Sequence, residues 1–184
     1  GSHGLGLHLH RPFPRLSPAE ITGLLAADRL AFEERVGRAP VVVRAGTYNT
    51  GEHGTWVAAV AAAGIPCDSS LISGAWSEAP AFRAQADTEA GRWGPGSYAF
   101  DHRRVPLAGW FSPLPGSAGP RAVPISVFRY SEQQALNCRL DPQRLSLEEL
   151  KQGFSRLADL APAGGELVVV AMTHTTHLLE GIRG

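Results

Sequence analysis

The sequence predicts an α/β fold built on parallel strands. The segment Pro40–Arg44 is apolar without alternation, which is typical of a strand that is covered on both faces. Helical and strand-like segments also alternate along the first half of the chain, and this order favours a parallel sheet with crossover helices. At 184 residues, the chain fits one domain with a substantial core. We therefore predict a single domain over residues 1–184.

The first helix has clear signals at both ends. Ser17 suits the N-cap position and Pro18 suits the first helical position. Apolar residues then continue at helical spacing to about Val36, where Gly37 closes the helix. The buried strand at 40–44 follows directly.

The next two elements and a long irregular segment complete the first two thirds of the chain. An alanine-rich helix is predicted over Thr55–Ala63, with its end at Gly64, and a short strand is predicted over Ile65–Asp68. Residues 71–120 are rich in Gly, Pro, Trp and Ser, and only short strands are expected there, around 98–100 and 105–108. A long irregular insert in a compact domain is usually functional or mobile.

The last third carries two strands and a helix. A buried strand is predicted over Ala122–Phe128. Ser146 and Glu149 have the spacing of a capping box, which opens a helix that runs to about Leu160. A final apolar strand is predicted over Glu166–Thr173.

Composition excludes several classes of partner. Seventeen basic residues balance seventeen acidic ones, so we expect no nucleic-acid partner and no attraction to an acidic membrane. No apolar run approaches the ~20 residues that a bilayer crossing requires, so no membrane span is predicted. The two cysteines, Cys67 and Cys138, could pair or stay free.

Two histidines near the start of the chain, His8 and His10, are flanked by aliphatic residues. Residues two apart on a strand point to the same face, so the two imidazoles should lie side by side. Two imidazoles on one face form half of a metal site. The alternative is a strand end that carries exposed histidines by chance.

Further motifs follow in order. The strand at 40–44 runs into Arg44 and then Gly46-Thr47-Tyr48, the short strand at 65–68 runs into Ser69-Ser70, and the last strand ends on His174. Together with the histidine pair, these motifs resemble the polysaccharide deacetylase family (NodB-like, carbohydrate esterase family 4), and in particular a bacterial branch with a Gly-Leu-His-Leu-His second motif. The resemblance extends from His3 to about Leu179.

The resemblance implies a distorted (β/α) barrel and a hydrolase that acts on carbon–nitrogen bonds. Its substrate would be an acetylated carbohydrate of bacterial cell-surface polysaccharide metabolism, from which an N-acetyl group is removed. His8 and His10 would hold a divalent metal, usually zinc in this family. Most of the family separates these histidines by three residues, and the chain has Pro12 at that wider spacing.

The resemblance also implies catalytic and substrate-binding roles. Arg44 would orient a base carboxylate, the Tyr48 backbone amide would stabilise the oxyanion, and His174 would protonate the leaving amine, with His177 as the alternative. Asp68 would hold the arginine or line the cleft, and Trp110 would stack on a sugar ring. The plainer interpretations are a surface Arg44, a packing Tyr48, an exposed His174 and a core Trp110.

The sequence departs from the family at the first motif. The strand that supplies the base aspartate and a third metal ligand has no counterpart here, so we expect the barrel to lack its first strand in this sequence. Two alternatives stay open. One is a catalytically inactive relative that binds carbohydrate or supports an assembly, and the other is a different metal-dependent amide or glycoside hydrolase on the same barrel.

Overall fold

The computed structural model describes residues 5–11, 13–71, 105, 108–109, 119–129, 137–142, 145–161 and 167–171. Its centre is a four-stranded parallel sheet in the order β1-β2-β3-β4. The strands are β1 (Gly6–Leu9), β2 (Val42–Ala45), β3 (Cys67–Asp68) and β4 (Arg121–Ala122). The predicted α/β class with a parallel sheet is therefore confirmed. Over the described ranges the sheet is open rather than closed into a barrel.

Helix α1 (Pro18–Val36) has the predicted ends. The Ser17 hydroxyl accepts a hydrogen bond from the Glu20 backbone N–H, and the Glu20 carboxylate accepts one from the Ser17 backbone N–H at 2.7 Å. This reciprocal arrangement satisfies two backbone donors that the helix itself leaves unpaired. Gly37 closes the helix with φ 75°, in the left-handed region where glycine carries no steric cost.

Helix α2 (His53–Ala62) begins two residues earlier than predicted. Its N-cap is Glu52, whose carboxylate accepts hydrogen bonds from the backbone N–H groups of Gly54 at 2.9 Å and Thr55 at 2.6 Å. The bond from Thr55 is the main reason that the pKa of Glu52 lies below its ordinary value. Glutamate is not a preferred N-cap residue, so the sequence pattern placed the start too late.

One face of the sheet is covered by the two helices. In the β1–β2 register Leu7 pairs with Val43 and Leu9 pairs with Ala45, and all four pack into the helix-side core. That core also contains Ile21, Leu25, Phe13, Trp56, Val57 and Val60. Because side chains alternate along a strand, Gly6, His8, Val42 and Arg44 belong to the opposite face. The site described below lies on that opposite face.

The chain then forms a smaller antiparallel pair, β5 (Val127–Arg129) with β6 (Asn137–Arg139). The strand predicted over 122–128 is thus divided between β4 and β5. Pro124 lies between them and has no N–H to donate to a ladder, which explains the interruption. Strand β6 was not predicted.

Helix α3 (Leu147–Ala158) packs on this pair through a cluster that contains Leu157, Phe128, Leu140 and Ala108. The capping box is present as predicted, with Ser146 and Glu149 bonded to each other's backbone N–H groups. The helix ends two residues before the predicted Leu160.

The last predicted strand is not formed over the part that is described, residues 167–171. The Ser126 backbone N–H donates to the Val170 carbonyl at 3.0 Å, but the Val170 N–H donates to the Ser126 hydroxyl at 2.9 Å. A side chain therefore takes the place of the backbone acceptor, and no regular ladder results. The predicted strand at 98–100 lies outside the described residues, as do 106 and 107 in the one predicted over 105–108. None of the helices in the described ranges has the length and apolar character needed to cross a bilayer.

Candidate functional site

The two histidines lie side by side, as the strand spacing predicts. His8 is in β1 and His10 follows the end of that strand, with their ring centroids 4.7 Å apart and their planes tilted by 35°. Both side chains are exposed. Two imidazoles are thus presented together at the carboxyl end of β1, the end at which parallel strands of α/β proteins usually carry their sites.

The position of the His10 ring depends on its contact with Gly46. A Cβ atom at position 46 would lie 2.5 Å from Cε1 and 2.6 Å from Cγ of His10, so the ring sits directly against the glycine backbone. Gly46 begins the turn Gly46–Tyr48 that follows β2. The histidine pair is therefore positioned by two neighbouring strand ends rather than by β1 alone.

Arg44 lies beside this pair and has defined partners. Its register partner on β1 is His8. Its Nε donates to the Ser69 carbonyl at 3.1 Å, and its Nη2 donates to the Ser69 hydroxyl at 2.8 Å. The carbonyl and the hydroxyl of Ser69 thus hold the half-buried guanidinium at the end of β2, so Arg44 is more firmly held than a free surface side chain. Ser69 was not predicted as this partner.

A cleft of about 360 Å³ opens on this face of the sheet. At the carboxyl end of the strands it is lined by polar residues, namely His8, Arg44 and Ser69. The register that pairs Val43 with Asp68 also puts Val42 level with Cys67. Two residues back along the strands from the polar end, the lining changes to Gly6, Val42 and Cys67. The rest of the lining is aliphatic and consists of Leu7, Val41, Val43, Val123, Val168 and Val170. The cleft is polar at one end and apolar along the rest.

Asp68 is completely buried on the other face. It pairs with Val43 and Ala122, which belong to the covered side of the sheet, and it does not line the cleft. Its Oδ2 accepts from the Trp56 indole N–H at 2.9 Å and its Oδ1 accepts from the Ser70 backbone N–H at 2.9 Å. Burial raises the pKa of this carboxyl above its ordinary value, although the hydrogen bonds from Ser70 and Trp56 oppose the rise.

These hydrogen bonds give Asp68 a structural role. By holding the Ser70 backbone it fixes the segment that follows β3, and the Ser70 hydroxyl in turn accepts from the Ala45 N–H at 2.9 Å. The neighbouring Ser69 is the partner of Arg44. Asp68 therefore supports the arginine through the backbone, while its predicted contact with substrate stays a prediction.

Tyr48 occupies an unusual backbone conformation next to the pair. Its φ is 61°, in the left-handed region, where a non-glycine residue costs about 1–2 kcal/mol. The side chain is buried. Strain of this kind collects at functional turns, which is consistent with the oxyanion role predicted for the Tyr48 amide without testing it.

The described residues include two ligands of the predicted metal site, His8 and His10. None of their His, Cys, Asp and Glu side chains come together in a group of three or more that could hold an ion. The predicted site would therefore need further ligands, either water or residues elsewhere in the chain. The candidate site residues His174, His177 and Trp110 lie outside the described residues, as does His3, where the resemblance begins.

Comparison with known proteins adds no identification. No protein-family model, no curated protein and no solved structure matches this chain.

Proposed function

We propose that this protein is a metal-dependent hydrolase that removes an N-acetyl group from a sugar, in bacterial cell-surface polysaccharide metabolism. The observation that carries the proposal is the pair of imidazoles, His8 and His10, of which His8 lines the polar end of a cleft beside Arg44. The proposal places these residues in a distorted (β/α) barrel whose helix-covered sheet is the part described above.

The geometry of the pair fits a divalent ion. Two imidazoles bound to one tetrahedral zinc ion through nitrogens at about 2.0–2.1 Å would have ring centroids about 5 Å apart. The centroids of His8 and His10 are 4.7 Å apart, which is close to that separation. When bound, such an ion lowers the pKa of its water and polarises a carbonyl group.

Arg44 supplies the positive charge of the site. The two hydrogen bonds to Ser69 fix the guanidinium plane, so that its charge is directed at the cleft rather than averaged over rotamers. In the proposal Arg44 orients the carboxylate that acts as base. Asp68 is not that base in this arrangement, since it is buried on the opposite face.

Three further residues have roles in the remaining steps. Water adds to the acetamide carbon, the carbon–nitrogen bond breaks, and acetate and a free amine leave. The Tyr48 N–H would stabilise the oxyanion, His174 would deliver the proton to the amine, and Trp110 would stack on the sugar. These three roles rest on the resemblance.

The test is release of acetate from N-acetylated sugar oligomers. We expect activity that is lost after treatment with a chelator and restored by zinc. Arg44→Lys keeps the charge but loses the two-pronged contact with Ser69, so we expect at least a tenfold loss of kcat/KM. Arg11→Lys is the matched control, because Arg11 is an exposed residue next to the pair that bonds to Asp28 instead.

The alternatives give different results. An inactive relative would bind the oligomer and release no acetate, with or without zinc. A hydrolase of another class would bind zinc and act on a different amide or glycoside. Acetate release that is unchanged by the chelator would contradict the proposal.

A further inference from the structure

The apolar part of the cleft has no role in the removal of an acetyl group. An acetyl group has one methyl carbon beyond its carbonyl, and it would be accommodated at the level of His8, Arg44 and Ser69. The cleft continues one further level along the strands, to Gly6, Val42 and Cys67. Residues on one face of a strand are two apart, so this second level, the deeper level, lies about 7 Å further along the strands from the polar end.

The deeper level is unsuited to a sugar. Its lining consists of a glycine, a thiol and aliphatic side chains, with Val168 and Val170 also part of the cleft. A sugar hydroxyl buried there would lose its water partners and find few replacements, and such a loss is unfavourable for every hydroxyl. An aliphatic chain would gain by leaving water and filling the space.

We propose that the cleft binds an aliphatic acyl chain of about five carbons, with its carbonyl at the level of His8 and Arg44. Five carbons beyond the carbonyl, as in hexanamide, span about 6 Å, close to the ~7 Å that separates the two levels along the strands. The sugar then lies outside, at the polar mouth. This inference rests on the proposed function and extends its acyl groups from acetyl to longer chains: water adds to the acyl carbon, the carbon–nitrogen bond breaks, and a longer carboxylate and a free amine leave.

Cys67 provides a direct probe of the deeper level. It is a free, half-buried thiol in the lining of the cleft. Burial raises the pKa of this thiol, so its alkylation is slow and is best followed at alkaline pH. The chain has two cysteines, and Cys138→Ser leaves Cys67 as the single thiol.

The experiment measures the alkylation rate of Cys67 in the Cys138→Ser protein, with hexanamide or acetamide present. Hexanamide should slow the reaction at least fivefold at saturation, and acetamide should have little effect. Across a series of amides, affinity should rise about two- to fourfold for each added methylene up to about five carbons. Val42→Phe should fill the deeper level and abolish protection by hexanamide, and a thermal melt checks that this variant is folded.

Two results would overturn the inference. One is equal protection by acetamide and hexanamide, and the other is protection by hexanamide that persists in folded Val42→Phe. The outcome is independent of the proposed hydrolysis, because alkylation needs no metal and no turnover. If hexanamide protects Cys67 but the protein removes no acyl group from an N-acylated sugar, the proposed function is refuted and the acyl-chain cleft is retained.

Discussion

Gly46→Ala tests the position of His10 with a single methyl group. A Cβ at this position would lie 2.5 Å from Cε1 and 2.6 Å from Cγ of the imidazole. Ordinary carbon–carbon contact is about 3.5–4.0 Å, so the ring must move by about 1 Å. Gly46 is not among the glycines with positive φ, so alanine fits its backbone and the added Cβ acts through the ring.

The expected consequence is a weaker metal site in a folded protein. Because His10 is exposed, its ring can swing into solvent, and the free energy of unfolding should change by less than about 1 kcal/mol. Metal–ligand distances tolerate only about ±0.2 Å, so a shift of about 1 Å should cost about 10- to 100-fold in zinc affinity. Calorimetric titration with zinc measures this loss directly.

Gly23→Ala is the matched control. Gly23 lies within α1, and a Cβ there would meet nothing within 4 Å. This variant should bind zinc like the parent and gain up to about 1 kcal/mol in stability from the higher helix propensity of alanine. Unchanged zinc affinity in Gly46→Ala would refute the reasoning, because His10 would then not be a ligand in the position described.

Three further predictions concern the packing of Gly153 against Phe128 and the buried contact between Trp56 and Asp68. Gly153→Ala should destabilise the protein by about 1–3 kcal/mol in urea unfolding, because the new Cβ would lie 2.7 Å from the buried Phe128 ring. A gain in stability like that expected for Gly23→Ala would contradict this packing. Trp56→Phe removes the indole donor to Asp68 and should cost about 1–3 kcal/mol in thermal unfolding, whereas a change below 0.5 kcal/mol would show that this bond is unimportant. Because the folded-state pKa of Asp68 is raised, the folded protein binds more protons than the unfolded chain, so its stability should fall as pH rises above about 4. Asp68→Asn should lack this decline, and parallel pH profiles for the two proteins would show that Asp68 does not titrate in this way.

Local signals predicted much of the fold. The ends of α1 follow from Ser17, Pro18 and Gly37, and the start of α3 follows from its capping box, because these contacts lie within a few residues of sequence. The neighbouring imidazoles of His8 and His10 follow from the two-residue period of a strand. Each of these features depends on interactions that a short stretch of chain defines by itself.

The features that were missed depend on context. The carboxylate of Glu52 caps α2 although glutamate is a poor N-cap residue, and Pro124 divides a segment that reads as one apolar strand. The contact of Gly46 with His10 joins residues of different strand ends, so nothing in the local sequence indicates it. Ser69 could have been found from its place after the strand next to Arg44, but only once the strand order was known. Sequence alone also gave no reason to place Asp68 on the covered face, away from the cleft.

The proposed function depends on the histidine pair as a metal site, and zinc content tests this most directly. The purified protein is loaded with zinc, desalted and measured by elemental analysis beside His8→Ala/His10→Ala and Arg11→Ala. We predict close to one zinc ion per chain in the parent and in Arg11→Ala, and almost none in the double variant. Zinc that stays bound in the double variant, or a parent that retains none, would contradict the central claim.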